Sequence, residues 1–163
     1  MIKIALTNLR LYNEGELVFE WVDLPQDDLS SVFDRIGHDE YFISDYECEM
    51  FHIEIDEYEG LEQLNNLAKE LDELDSYELK VLEAIIESEH CSDISEALDL
   101  LREENYIFHE ACDLLELAET FIEEGIFGEI PNSIKGYIDY EKIADDLRLD
   151  GYIETSMGVI TYD

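Results

Sequence analysis

Positive charge is what this sequence has least of. Its 163 residues hold 9 Lys or Arg against 44 Asp or Glu, a formal net charge of −35. That balance excludes a protein that grips nucleic acid through a basic surface of its own. It also speaks against a membrane partner, because docking on anionic lipid needs clusters of Lys and Arg. Cysteine is scarce as well. Cys48, Cys91 and Cys112 are odd in number and widely spaced, so they frame no disulfide scaffold and suit a reducing, cytoplasmic setting. No apolar run is long enough to cross a bilayer, and the opening Met1-Ile2-Lys3-Ile4 alternates like a strand rather than a secretory signal. Low-complexity segments and internal repeats are also missing.

What is present reads as a folded chain. Apolar residues make up 46% and aromatic residues 11%, whereas a disordered acidic chain would be poor in both. The acids form no tail. Residues 1–60 hold 16 acids and 3 bases, residues 61–104 hold 14 and 3, and residues 105–163 hold 14 and 3. A single charge run is ordinarily a solvated face. An excess spread over the whole chain goes far beyond the net charge of about 2–8 that keeps a small domain soluble, and its self-repulsion works against the compact state.

Hydrophobic periodicity predicts an α+β chain of three small domains. In residues 1–60, Ile2, Ile4 and Leu6 alternate, as do Leu17, Phe19 and Trp21, predicting strands over 2–7 and 16–23 joined by a hairpin at Asn13-Glu14-Gly15. Leu29, Val32, Phe33 and Ile36 follow at helical spacing until Gly37, and 41–49 is again extended. Residues 61–104 read as a central acidic helical domain with stripes at Leu61, Leu64, Leu67, Ala68 and Leu71, then Val81, Leu82, Ile85 and Ile86, then Ile94, Ala97, Leu98 and Leu101. Asp93 with Glu96 gives the last of these a capping-box entry. Residues 105–163 open on a candidate strand, Tyr106-Ile107-Phe108. A helix is predicted over 110–124, its apolar positions within one arc of about 120°, ended by Gly125. Another follows near 140–149, and a hairpin flanks Met157-Gly158.

Signatures of catalysis are thin. His38, His52, His90 and His109 are scattered, and His109-Glu110-Ala111-Cys112-Asp113 starts like a zincin helix but has Asp where the second His must stand. Asp56 to Gly60 resembles a calcium loop, yet that register puts Ile55 and Asn66 at ligand positions one and twelve. There is no phosphate-cradling glycine loop and no nucleophile elbow. With so many acids, some carboxylate pair always sits at glycosidase distance, so such pairs carry no information. No metal, no cofactor and no enzyme activity are expected.

A uniformly acidic body has one physical route to function. Duplex DNA carries a charge per about 1.7 Å of axis, so this net charge matches roughly 60 Å of it, about 18 base pairs. Acids at i and i+3 or i+4 on a helix stand about 5–6 Å apart at Cβ, forming a ribbon of charge that a basic DNA groove could accept through counterion release. Three stretches carry a more specific signal. They are Asn8-Leu9 with Tyr12 to Leu17 and Trp21 to Pro25; Glu40 to Glu47; and Gly128-Glu129-Ile130-Pro131 with Tyr137 to Glu141 and Asp146-Leu147. In order and spacing they resemble the ArdA family of antirestriction proteins, DNA mimics of mobile elements.

The resemblance implies an elongated, curved, three-domain chain that dimerises through its C-terminal domain. It implies inhibition of type I restriction–modification enzymes by filling the DNA groove of their specificity and methylase subunits, without catalysis or cofactor. Carried onto this chain, the mimic surface would include Glu62, Glu70, Asp72, Glu73, Asp75, Glu78, Glu83, Glu87, Asp99, Glu116, Glu119 and Glu123, no one of them essential. Tyr106 and Phe108 are the candidate dimer contacts, with core filling an equal alternative. Two other readings fit the charge: an acidic protein that sequesters a different basic DNA-binding protein, and a halophile-type globule whose acidity is solvent adaptation.

Overall fold

The structure, a computed structural model, describes residues 2–37, 40–48 and 53–162. His38, His52 and Glu49, which figured in the expectations above, lie outside the described residues. The fold is α+β. It divides into two compact units, Met1–Asp75 and Ser76–Asp163.

The first unit runs β1 (Ile2–Asn8), α1 (Leu9–Asn13), β2 (Phe19–Leu24), α2 (Leu29–Ile36), β3 (Tyr41–Cys48) and α3 (Leu61–Glu73). Its sheet is antiparallel in the order β2-β1-β3. β1 is central, so Ile2, Ile4 and Leu6 are buried beside Val22 and Leu24 of β2, and α2 and α3 pack onto these strands. The predicted strands do pair, but the link between them is not a tight hairpin. Buried Asn8 accepts from the Leu11 amide at 2.9 Å and donates to the Ile36 carbonyl at 3.0 Å, which starts α1 where plain alternation would have continued the strand. β2 therefore begins at Phe19 rather than 16. Gly37 ends α2 with φ 82°, as its position predicts.

Helix α3 is stitched to this unit. Tyr41 Oη accepts from the Leu61 amide at 2.8 Å, and the buried Asn65 side chain both accepts from and donates to the Gln26 backbone, at 2.6 and 2.9 Å. Both amide dipoles of a buried asparagine are satisfied in this way.

The second unit runs α4 (Ser76–Glu87), α5 (Ile94–Glu103), β4 (Tyr106–Glu110), α6 (Leu114–Glu123), α7 (Asn132–Lys135), α8 (Tyr140–Leu149), β5 (Ile153–Thr155) and β6 (Gly158–Tyr162). The sheet order is β4-β6-β5, all antiparallel, so the predicted hairpin at Met157-Gly158 is present. Leu114, Leu117, Ala118 and Phe121 of α6 form a core with Ala144 and Leu147 of α8 and Val159 of β6. Val81, Leu82, Ala84 and Ile85 of α4 are fully buried, and α4 is tied to the sheet by a 2.7 Å bond between Ser88 Oγ and Tyr162 Oη.

One prediction shifts here. The helix expected over 110–124 begins only at Leu114, because β4 continues through Glu110, Ala111 turns with φ 55° and Asp113 forms a reciprocal capping box with Glu116. The apolar stripes expected of the middle helices are buried or half-buried, with α3 in the first compact unit and α4 and α5 in the second.

Candidate functional site

The twelve acids singled out from sequence are all at or near the surface. Glu62, Asp72, Glu73, Asp75, Asp99, Glu116, Glu119 and Glu123 are exposed, and Glu70, Glu78, Glu83 and Glu87 are half-buried. The reason is local. On each amphipathic helix the buried stripe leaves the opposite side to charge.

Helix α6 arranges them most regularly. At about 100° per residue, Glu116, Glu119 and Glu123 fall within an arc of about 60°, opposite the buried Leu114, Leu117, Ala118, Phe121 and Ile122. The ridge is held at its start by the capping box, in which the Glu116 amide donates to Asp113 at 2.8 Å and the Asp113 amide to the Glu116 carboxylate at 3.2 Å. The carboxylate of Glu154 on β5 accepts a further α6 amide, that of Leu114, at 3.1 Å. Helix α4 is less regular. By the same rotation Glu78 lies about 140° from Glu83 and about 180° from Glu87. Glu87 also accepts from the Ser156 amide at 2.6 Å. Asp99 faces Arg102 at 3.1 Å, and is partly neutralised by it.

Sequence inspection missed the contribution of α8. Its buried Ala144 and Leu147 seat it against α6, while Glu141, Asp145 and Asp146 are exposed. Two packed helices thus both turn acids outward. The signal was the apolar pair three residues apart within an acid-rich segment.

Tyr106 and Phe108 are both half-buried. The Phe108 ring meets Tyr77 edge-on at 6.0 Å, and burial pushes the Tyr106 hydroxyl up from its ordinary pKa. The more exposed apolar side chains of this unit include Tyr77 on α4, Ile107 on β4, Leu115 on α6, Ile126, Phe127, Ile134 and Tyr137 between α6 and α8, and Leu149.

The described residues hold no group of three or more His, Cys, Asp or Glu disposed to bind a metal ion. His109 lies on β4 and Asp113 caps α6, so the zincin-like stretch is not one helix. In the calcium-loop-like stretch, Glu59 and Asp56 accept from the amides of Asp56 and Tyr58, which is turn chemistry. Burial raises the thiol pKa of Cys91 and Cys112, the opposite of what activates a nucleophilic cysteine. No helix of the described residues is long and apolar enough to cross a membrane.

What the geometry does present is carboxylates ordered on the outer sides of α6 and α8. Among curated proteins, no relative matches the chain. The family model described as antirestriction protein (ArdA) matches residues 4–161. That match runs from within β1 to within β6 and takes in every element between them, and the chain belongs to the ArdA family of antirestriction proteins.

Proposed function

We propose that this protein performs its family's antirestriction role as a mimic of double-stranded DNA, seating its carboxylates in the basic groove of a type I restriction–modification enzyme. It would work by occupancy rather than by chemistry, with the specificity and methylase subunits as partners. The observation that carries this reading is the α6 ridge. Glu116, Glu119 and Glu123 project on one line from a helix whose other side is core and whose first turn is fixed by a capping box. Acids held on a rigid helix need less ordering on binding than acids on a loose tail. The proposed surface is centred on Glu116, Glu119 and Glu123 of α6 with Glu141 and Asp145 of α8, and the other nine acids named above are candidates for further contacts.

Such a surface works as a sum. Each exposed contact contributes about 0.2–1 kcal/mol, so changing Glu119→Gln alone should weaken inhibition less than about fivefold. The triple change Glu116→Gln, Glu119→Gln and Glu123→Gln should multiply these losses, and glutamine retains the capping geometry. The test is inhibition of a type I enzyme in vitro, scoring both cleavage and methylation, with duplex DNA titrated as competitor. Protection that DNA relieves and salt weakens supports the reading. No protection at several-fold molar excess in low salt would sink it. Release of a different DNA-binding protein from its site, with no effect on the restriction enzyme, would favour the sequestration alternative.

A homodimer is part of the same proposal. The exposed Ile126, Phe127, Ile134 and Tyr137 offer it more uncovered apolar surface than Tyr106 and Phe108.

A further inference from the structure

The first unit carries a surface of another kind. In an antiparallel sheet, residues paired across strands point to the same side. The register therefore sets three rows across one face: Phe19–Thr7–Phe42, Trp21–Ala5–Asp45 and Asp23–Lys3–Glu47. The opposite face is the one that buries Ile2, Ile4 and Leu6. On this side Thr7, Ala5 and Phe42 are buried, Phe42 beneath Tyr12, while Phe19 is 51% and Trp21 37% exposed, so the uncovered apolar surface lies along β2. The top row runs into an open groove of ≈ 530 Å³ lined by Tyr12, Leu17, Phe42 and Ile55 together with Asp45 and Glu57.

Charge decides what could cover this face. Asp23, Asp45, Glu47 and Glu57 surround it, against Lys3 as the base among them. Two copies of this face would set these carboxylates against one another, and nucleic acid has the wrong sign. A positively charged segment is attracted. The face also shows the contact such a segment would make, because Lys3 Nζ stands 5.1 Å from the Trp21 ring centroid, within cation–π range. Arginine suits the site better than lysine. Its flat guanidinium stacks on aromatic rings and pairs two-pronged with carboxylates. Leu17, Phe19 and the groove need apolar side chains in the same occupant.

We propose that this sheet face and its groove form a docking site for an extended protein segment that alternates arginine with bulky apolar residues. The site lies on strands, apart from the acidic helices, and does not depend on the mimic reading. It would add a contact that salt screens only in part, since the aromatic and apolar share of the binding is not Coulombic.

Trp21 is the single tryptophan of the chain, so its fluorescence reports this face alone. The full-length protein is titrated with a short acetylated peptide of alternating arginine and leucine, and with a peptide of equal charge alternating lysine and serine, both at physiological ionic strength. The arginine–leucine peptide should shift or quench Trp21 emission with affinity at least about tenfold tighter than the other. Leu17→Ser combined with Phe19→Ser should weaken it about tenfold without altering the melting temperature, because both side chains are exposed. Asp45→Asn, which leaves the apolar walls intact, should weaken it several-fold. The proposal is overturned if the arginine–leucine peptide leaves Trp21 unchanged, if the lysine–serine peptide acts equally, or if the Leu17 and Phe19 changes have no effect. A Trp21 shift that grows with protein concentration alone identifies a second copy as the occupant, and a shift induced by duplex DNA identifies nucleic acid; either overturns it. A chain that inhibits restriction but fails this titration removes this proposal and leaves the mimic reading standing.

Discussion

The two units carry almost the same charge and manage it differently. Residues 1–75 hold 21 acids and 4 bases, residues 76–163 hold 23 and 5. In the first unit two of the four bases tie one element to another. Lys3 of β1 faces Glu47 of β3 at 3.6 Å, and Arg35 of α2 faces Glu20 of β2 at 2.7 Å. In the second, Arg102, Lys142 and Arg148 each meet an acid three residues back on the same chain segment, Asp99, Asp139 and Asp145, although Lys80 of α4 does reach Glu110 of β4. Scarce positive charge thus supports tertiary structure in one unit and mostly helix propagation in the other. The second unit relies instead on caps and on close backbone packing.

The sharpest way to break that comparison is at the glycines. A Cβ at Gly158, where φ is 148°, would come within 2.1 Å of the His109 carbonyl oxygen. The backbone of β4 leaves it no room, so Gly158→Ala should cost about 3 kcal/mol or more and disrupt the β4–β6 pairing. Gly15, with φ 88° and open space around it, should cost only about 1 kcal/mol as alanine. Urea denaturation of the two variants decides it, and equal losses would refute the idea that close packing is concentrated in the second unit. Next in size is the cap. Asp113→Ala removes the capping box of α6 and should cost about 1 kcal/mol, with a loss of helical circular dichroism if the ridge frays.

Cations give a smaller effect. Arg35→Gln should cost about 0.5–1 kcal/mol at low salt, and Arg148→Gln about 0.3 kcal/mol. Both losses should shrink as salt screens them, while the melting temperature of the unmodified chain rises because its self-repulsion is screened too. A melt indifferent to salt would contradict this.

The smallest effect separates the units by pH. Burial holds the His109 imidazole below its ordinary pKa of 6.5, opposed by the nearby Glu124 carboxylate, with Phe121 and Tyr152 rings packed against it. A depressed histidine pKa means that the neutral form is favoured by folding. The associated stability is complete above 6.5 and is lost as pH falls toward and through the lowered value. Relief of carboxylate repulsion runs the other way, so the difference in melting temperature between the wild type and His109→Phe isolates the histidine. That difference should change as pH falls below 6.5; a constant difference from pH 7.5 to 5 would refute it.

Much of this was legible in the sequence because it depends on local chemistry. The alternation of Ile2, Ile4 and Leu6, the stop at Gly37, and the turn at Met157-Gly158 each act within a few residues, and the structure places strand, helix end and hairpin there. What escaped depends on partners distant in sequence. That Asn8 would start a helix is fixed by its side-chain bond to Ile36 as well as by its cap, and that α3 would join the first unit depends on Asn65 reaching Gln26. The acids of the candidate surface could be named one helix at a time, since burial of one side exposes the other. Which helices would pack together could not, so the acids of α8 beside α6 went unseen. The open aromatic face was hidden for the same reason. Phe19 and Trp21 look like ordinary core residues until the register shows that the core lies on the other side of β1.

The edge strand β4 carries a last consequence. It is an outer strand of its sheet, with Ile107 46% exposed, a natural template for stacking one molecule on the next. At neutral pH the like charge of every copy keeps such templates apart. Acidification toward the sequence pI of about 4.1 would remove this colloidal barrier, and exposed strand edges of this kind are where copies would then adhere.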